Sequence, residues 1–283
     1  MTELSKEQIE QAKKLANLTK ISQILENIRN IIAKDKLQKQ PLILRINENF
    51  IFDIAKKAIA EKDSTFVLAI AGESASGKTT LVKNAAKACI KSENNHVYTT
   101  ICCDDYYKDA SSELIQAGSY EKLFESGFSF DTPDAIDLEL MKKHLIDLKD
   151  GKEIYSPLYN FVTCESKKDT VLKSPAKLIL NEGLYVLHDL VREVADVKIY
   201  VYTPFEIIKE RWFARAASRG KTGMAAQMQF HDVNQTAFRY IRPTMDLADV
   251  VINGMTTQEY IEDFVRDIIN AIVSVVNDKH LTL

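Results

Sequence analysis

The sequence predicts an α/β fold with a mainly parallel central sheet and a helical N-terminal extension. Three observations carry this expectation. Apolar runs at Phe66–Ala71, Val97–Cys103, Lys177–Leu180, Val197–Tyr202 and Val250–Ile252 read as buried strands. Helical patterns at Thr79–Ile90, Leu138–Asp147, Phe205–Ser218 and Gln258–Asn277 separate them, and such alternation implies a parallel sheet covered on both faces. Ahead of the first strand, the periodicity is helical only.

Taken in order, residues 4–33 place Ile9, Ala12, Leu15, Ile21, Ile24, Ile28, Ile31 and Ile32 at helical spacing, read as two helices broken near Asn17–Lys20. QKQP at 38–41 ends the pattern, because proline disfavours helix in the residue before it. ENFIFDIAKKAIAE at 48–61 is a further amphipathic helix, leading through Lys62–Thr65 into the first strand. The expected division is a helical extension over residues 1–45 and one domain over 46–283.

Composition excludes several classes. With 283 residues, 46% hydrophobic and 27% charged, the chain can bury a core and is neither disordered nor fibrous. No apolar run approaches the ~20 residues that span a bilayer. Thirty-seven basic against 40 acidic residues leave a net charge of −3, so no global field recruits nucleic acid or an anionic membrane. The polar start MTELSKEQIEQAKK is not expected to be a signal peptide. Cys89, Cys102, Cys103 and Cys164 form no CxxC pair, so buried, reduced cysteines in a cytoplasmic protein are expected.

The sharpest signal follows the first strand. Gly72-Glu73-Ser74-Ala75-Ser76-Gly77-Lys78-Thr79 matches GxxxxGK[ST], with an apolar strand before it and the helix TTLVKNAAKACI after it. Glycines let the backbone curl so that successive N–H groups meet phosphate oxygens, and the helix N-terminus adds positive potential. Lys78 is expected to reach the β- and γ-phosphates and the Thr79 hydroxyl to hold Mg²⁺, with Thr80 completing the set. No NKxD base motif is present, and the strand Leu178–Leu180 ends in Asn181-Glu182-Gly183. Glu182 is thus the candidate acidic partner to Thr79 at the metal, a turn glutamate being the plain alternative.

Acids at strand ends face the same crevice. In CDDYYKD, Asp104 is the first candidate to accept a proton from a hydroxyl, although capping of the loop explains the pair equally well. In FDTPDAID, Pro133 suits a helix start, which leaves Asp131 free to accept two hydrogen bonds from a vicinal diol. Tyr159 and Phe161 share a strand face by period two and either sandwich a ring or pack in the core. Arg211, Arg215 and Arg219 align on one helix face ahead of GKTG, as a lid over phosphates or as a solvated face.

The ordered motifs GESASGKTT, CDDYYKD, FDTPDAID, PLYNFV, LNEGLYVL, SRGKT and RPTMDLADVVI resemble the uridine kinase (uridine–cytidine kinase) branch of the phosphoribulokinase and uridine kinase family, over roughly residues 65–255. The resemblance implies a three-layer P-loop kinase using ATP (or GTP) and Mg²⁺, with a lid at about 211–230 and a homo-oligomeric state. It implies Asp104 as the carboxylate that activates the ribose 5′-hydroxyl, and Tyr107 as a nucleoside contact. Asp131 would bind the ribose hydroxyls, Tyr159 and Phe161 line the base pocket, Glu182 sit near Mg²⁺, Arg215 act as a lid arginine, and Gln229 contact the ribose.

Departures touch the acceptor side and the lid. Cys164 stands where the family has a base-reading histidine, and a thiol is a weak hydrogen-bond partner. Trp212 replaces an arginine, Lys221 replaces another and loses its bidentate fork, and one residue is missing between Arg215 and Arg219. The leading reading is a kinase of a small-molecule hydroxyl, foremost the 5′-hydroxyl of uridine or cytidine. A modified nucleoside, a sugar phosphate or pantothenate as acceptor, or a catalytically silent nucleotide-binding regulator, remain as alternatives.

Overall fold

The computed structural model describes residues 6–60, 65–91 and 98–276. The expected linker residues 62–64, Val97, Asn277 and the first five residues lie outside them, as does the Cys89 side chain. The chain opens on helix α1 (Lys6–Lys36), strand β1 (Ile43–Ile46) and helix α2 (Glu48–Ala60). Strand β2 (Phe66–Gly72), helix α3 (Lys78–Lys91) and strand β3 (Tyr98–Cys102) follow. Then come α4 (Ser111–Ala117), α5 (Tyr120–Glu125), α6 (Leu138–Lys149) and the hairpin β4 (Ile154–Asn160) and β5 (Glu165–Lys173). The last third holds β6 (Leu178–Gly183), β7 (Val197–Tyr202), α7 (Phe205–Ser218), α8 (Gly223–Thr236), β8 (Val250–Asn253) and α9 (Gln258–Val276).

The main sheet has the order β1-β8-β7-β2-β6-β3. Its five strands from β8 to β3 are parallel, and β1 closes one edge antiparallel to β8. Side-chain alternation separates two cores. Val67, Ala69, Ala71, Ile101 and Ile179 enter the layer that contains α6 and the Tyr106–Tyr107 turn. Ile70, Leu180, Val201 and Ile252 enter the opposite layer with Leu81, Val82 and Ile261 from α3 and α9. The strand predicted to stop at Leu180 continues to Gly183, carrying Glu182 to the sheet's carboxyl edge.

The N-terminal segment departs from the expected pair of helices. α1 is continuous through Asn17–Lys20 because no glycine or proline interrupts it, and it accommodates the bond from the Thr19 hydroxyl back to the Leu15 carbonyl at 3.0 Å without breaking. Ile21, Ile24, Ile28 and Ile32 pack with Ile51 and Ala55 of α2 and Val275 of α9. The expected boundary at residues 45/46 falls inside β1, a strand of the main sheet. The Asp35 carboxylate, fully buried, accepts the amides of Leu42 and Ile43 at 2.8 Å each and the Tyr260 hydroxyl at 2.9 Å. Among the described residues, no helix is long and apolar enough to cross a membrane.

Candidate active site

The loop between β2 and α3 is built for close backbone approach. Gly72 has φ +149°, and a Cβ there would lie 2.7 Å from the Val201 carbonyl oxygen and 2.8 Å from Ser76 Oγ, so only glycine fits. Ala75 holds the left-handed conformation at φ 66°, a costly state that the surrounding packing maintains. The loop's base is fixed by Thr203 Oγ1, which donates to the Ser76 carbonyl at 2.8 Å. Ser76 Oγ is buried and has no hydrogen-bond partner among the described residues. An orphaned hydroxyl inside a loop of N–H groups fits an anionic ligand.

Lys78 is buried and donates from Nζ to the Glu73 carbonyl at 2.8 Å. Burial lowers its ammonium pKa, while Glu182 and Asp104 act in the opposite direction. Thr79 Oγ1 donates to Glu182 Oε2 at 3.1 Å. Burial raises the Glu182 carboxyl pKa, against the pull of Lys78. This pairing of a hydroxyl and a carboxylate is a hard-oxygen donor set that fits Mg²⁺, which takes few protein ligands and completes its shell with phosphate oxygens and water. Among the described residues, no group of three or more His, Cys, Asp or Glu could hold a metal ion by itself.

Asp104 lies on a 3-10 turn, Cys103–Tyr106, that leaves the carboxyl end of β3. The turn packs against β6 at Gly183, where an added Cβ would fall 2.0 Å from Cys103 Cβ. Asp104 acts electrostatically on Lys78, Glu182, Arg215 and Asp131, so three expected acids and two expected cations lie within electrostatic reach of one another.

The arginine row runs along the site: Arg211 and Arg219 are exposed, and Arg215 between them is half-buried. Arg211 Nη1 donates to the Gly254 carbonyl at 3.1 Å, beside the phosphate loop. Arg215 Nη2 reaches Ser74 Oγ at 2.5 Å, and burial and Arg219 lower its pKa while Asp104 and Asp131 oppose them. Arg219 lies 5.2 Å from the Phe161 ring. Lys221 sits 4.0 Å over the Tyr120 ring. Trp212, where a family arginine is absent, instead packs on Phe213 and Phe230 at 5.3 and 5.2 Å, with Ala75 of the phosphate loop against the same cluster. It joins α7 to α8 by apolar contact.

On the acceptor side, Tyr107 donates from its hydroxyl to Asp131 Oδ1 at 2.7 Å. Desolvation lifts the Asp131 carboxyl to about 6, against the opposing effect of that hydrogen bond. Tyr107, Tyr159 and Phe161 form an aromatic triangle with centroids 5.1, 5.8 and 5.1 Å apart. The Tyr159 hydroxyl is buried beside the Cys164 thiol and has no partner in hydrogen-bond geometry among the described residues. Cys164 itself is buried at φ 55° and meets the Tyr120 hydroxyl at 3.3 Å. Pro133 opens a 3-10 turn, whereas α6 starts later, with the Asp137 side chain accepting the Leu140 amide at 3.0 Å.

Gln229 stands apart. It is half-buried in α8, and no hydrogen bond among the described residues ties it to this crevice. Sequence reasoning missed three contributors: Tyr120, Tyr185, whose hydroxyl donates to the Asp131 carbonyl, and Arg242, which forks onto Glu73 at 3.0 and 2.9 Å. The Arg242 pair spans 169 residues, and no local pattern announces it.

Loop, lysine, threonine–glutamate pair and facing carboxylate together define a P-loop nucleotide-binding phosphotransferase. The pattern of the Phosphoribulokinase / Uridine kinase family matches residues 67–260, and the chain belongs to this family. It is a phosphotransferase with an alcohol group as acceptor. It is 34% identical over 189 residues to the uridine kinase of Borrelia turicatae (strain 91E135), covering 66% of this chain and 85% of that one. With uridine-cytidine kinase-like 1 of Mus musculus it shares 30% identity over 223 residues, 76% of this chain and 39% of that protein. Phosphoribulokinase from Rhodobacter spheroides aligns at a TM-score of 0.48 and 14% identity, covering 67% of this chain and 70% of its own.

Proposed function

We propose that this chain transfers the γ-phosphoryl group of ATP, with Mg²⁺, to the 5′-hydroxyl of uridine or cytidine. The observation that carries the reading is the Asp131–Tyr107–Tyr159–Phe161 pocket, placed beside Asp104 and Arg215 at the phosphate loop. A carboxylate with one oxygen held by a phenol has its second oxygen for a vicinal diol, and the aromatic wall suits a planar base.

ATP with its cation supplies the electrophilic phosphorus and neutralises charge on the leaving phosphates. This chain's residues do the rest. Lys78 and the loop amides hold the phosphate oxygens, and Thr79 with Glu182 would hold the cation. Asp104 orients the acceptor hydroxyl and takes its proton as the new P–O bond forms. Arg215 and Arg219 close over the crevice from α7, excluding water that would otherwise compete as acceptor. The free cysteines Cys102, Cys103 and Cys164 suit a reduced cytoplasmic setting.

The test is turnover by the purified chain with MgATP and a panel of nucleosides, sugar phosphates and pantothenate. Release of ADP that depends on uridine or cytidine, with a 5′-monophosphate as product, is the expected result. Tight ATP binding with silence across the panel would favour the regulatory alternative instead.

A further inference from the structure

Glu73 is an unusual neighbour for a triphosphate. It is the second residue of the phosphate loop, its side chain is only 13% exposed, and left unpaired it would add a negative charge where the ligand is most anionic. Arg242 meets that charge with a two-pronged fork, Nε to Oε1 at 3.0 Å and Nη2 to Oε2 at 2.9 Å. The same Nη2 reaches Asn234 Oδ1 of α8 at 2.7 Å. Arg242 follows a π-helical turn, Ala237–Ile241, at the end of α8. Such turns are rare and shift the register of all that follows them. Arg242, the first residue after this turn, reaches the loop, with the Phe205 and Phe238 rings at 5.9 and 6.0 Å.

The main chain completes the path. The Glu73 carbonyl accepts Lys78 Nζ at 2.8 Å and the Ser76 amide at 3.0 Å. The chain of contacts therefore runs from α8 through Asn234 and Arg242 to Glu73, and from Glu73 to the lysine that meets the phosphates.

We propose that Arg242 is a positioning residue for phosphoryl transfer: it neutralises Glu73 and clamps the phosphate loop to the C-terminal end of α8, so that the loop can accept a triphosphate. Arg242 itself touches no reacting atom. The proposal rests on the loop being the donor site. A failure of that reading would show as wild-type turnover without saturable donor dependence, which is distinct from failure of the clamp.

The experiment compares Arg242→Gln, Glu73→Gln and the double variant by steady-state kinetics and thermal unfolding. Arg242→Gln leaves the carboxylate bare and is expected to raise the donor KM about tenfold, the scale of one unit charge in a partly screened site. The acceptor KM should stay within about twofold. Removing the charge in the Arg242→Gln, Glu73→Gln double variant should bring the donor KM back to within about threefold of wild type, a non-additive result expected of residues in direct contact. A donor KM unchanged in Arg242→Gln, or a double variant worse than the single, would overturn the proposal. If Arg242→Gln does not fold, Arg242→Lys decides the matter, because it keeps the charge and loses the fork. A rise of about threefold in donor KM supports the clamp, and no change refutes it.

Discussion

Asp131 shows how burial sets the protonation of a single group. Its carboxyl pKa is raised to about 6 by desolvation, and Tyr107 holds it down from a still higher value. Only the ionised form offers acceptor lone pairs on both oxygens to a diol. Acceptor kcat/KM should therefore rise as pH increases through about 6, and Asp131→Asn should abolish that inflection along with most acceptor binding. Tyr107→Phe removes a bond that favours the charged form, so its inflection should move upward in pH. Stability runs the other way. A carboxyl whose folded pKa exceeds its unfolded value of 3.8 binds its proton more tightly when folded, so stability falls as pH rises from about 4 to about 6 and the loss persists above. Asp131→Asn should flatten this contribution in thermal melts recorded across that window. A melt series in which wild type and variant run parallel would refute the assignment.

Among elements, the segments that face two packed layers were the legible ones. β2, β6, β7 and β8 lie inside the sheet, and β3, at the edge opposite β1, is still buried or half-buried along its length, so their apolar runs stand out in sequence. β1 escaped notice because it is a four-residue edge strand with the burial pattern of one buried, two exposed and one half-buried residue. β5 escaped because ESKKDTVLK belongs to a two-stranded hairpin apart from the main sheet and is mostly polar. The phosphate loop and its acids were legible, since their chemistry requires particular residue types at fixed spacing. The Arg242–Glu73 and Tyr185–Asp131 contacts were not, because the fold alone brings such distant positions together. The β2–α3 turn makes its own prediction. Gly72→Ala would drive a methyl to within 2.7 Å of the Val201 carbonyl oxygen and 2.8 Å of Ser76 Oγ, in a conformation that costs alanine of order 1–3 kcal/mol. Nucleotide binding measured by calorimetry should be lost or fall by more than tenfold, and near-normal binding would contradict the geometry.

At the level of the whole molecule, the N-terminal segment reads as part of the fold. α1 buries Ile21, Ile24, Ile28 and Ile32 against α2 and α9, at about 1.5–3 kcal/mol each as an upper estimate. Asp35 then ties the end of α1 to β1 and to Tyr260 of α9. β1 pairs with β8, and the Asn253 amide at the end of β8 donates to the Leu42 carbonyl at 2.8 Å. A chain lacking residues 1–36 should therefore be insoluble or melt far below the full chain. Asp35→Ala strands two buried amides at about 1–3 kcal/mol each and should lower the melting temperature by several degrees while leaving the donor KM nearly unchanged. A truncated chain with full stability would show that the segment is an appendage after all.

The proposed kinase reaction requires one crevice that joins a phosphate loop to a nucleoside pocket through Asp104. The most direct measurement is ADP release by the purified chain with MgATP and uridine or cytidine, run beside Asp104→Asn. Nucleoside-dependent turnover is expected in the wild type, and the variant should lose it by roughly 10²–10⁴-fold, with ATP binding retained. Near-normal turnover by the variant, or no nucleoside-dependent turnover in the wild type, would contradict it.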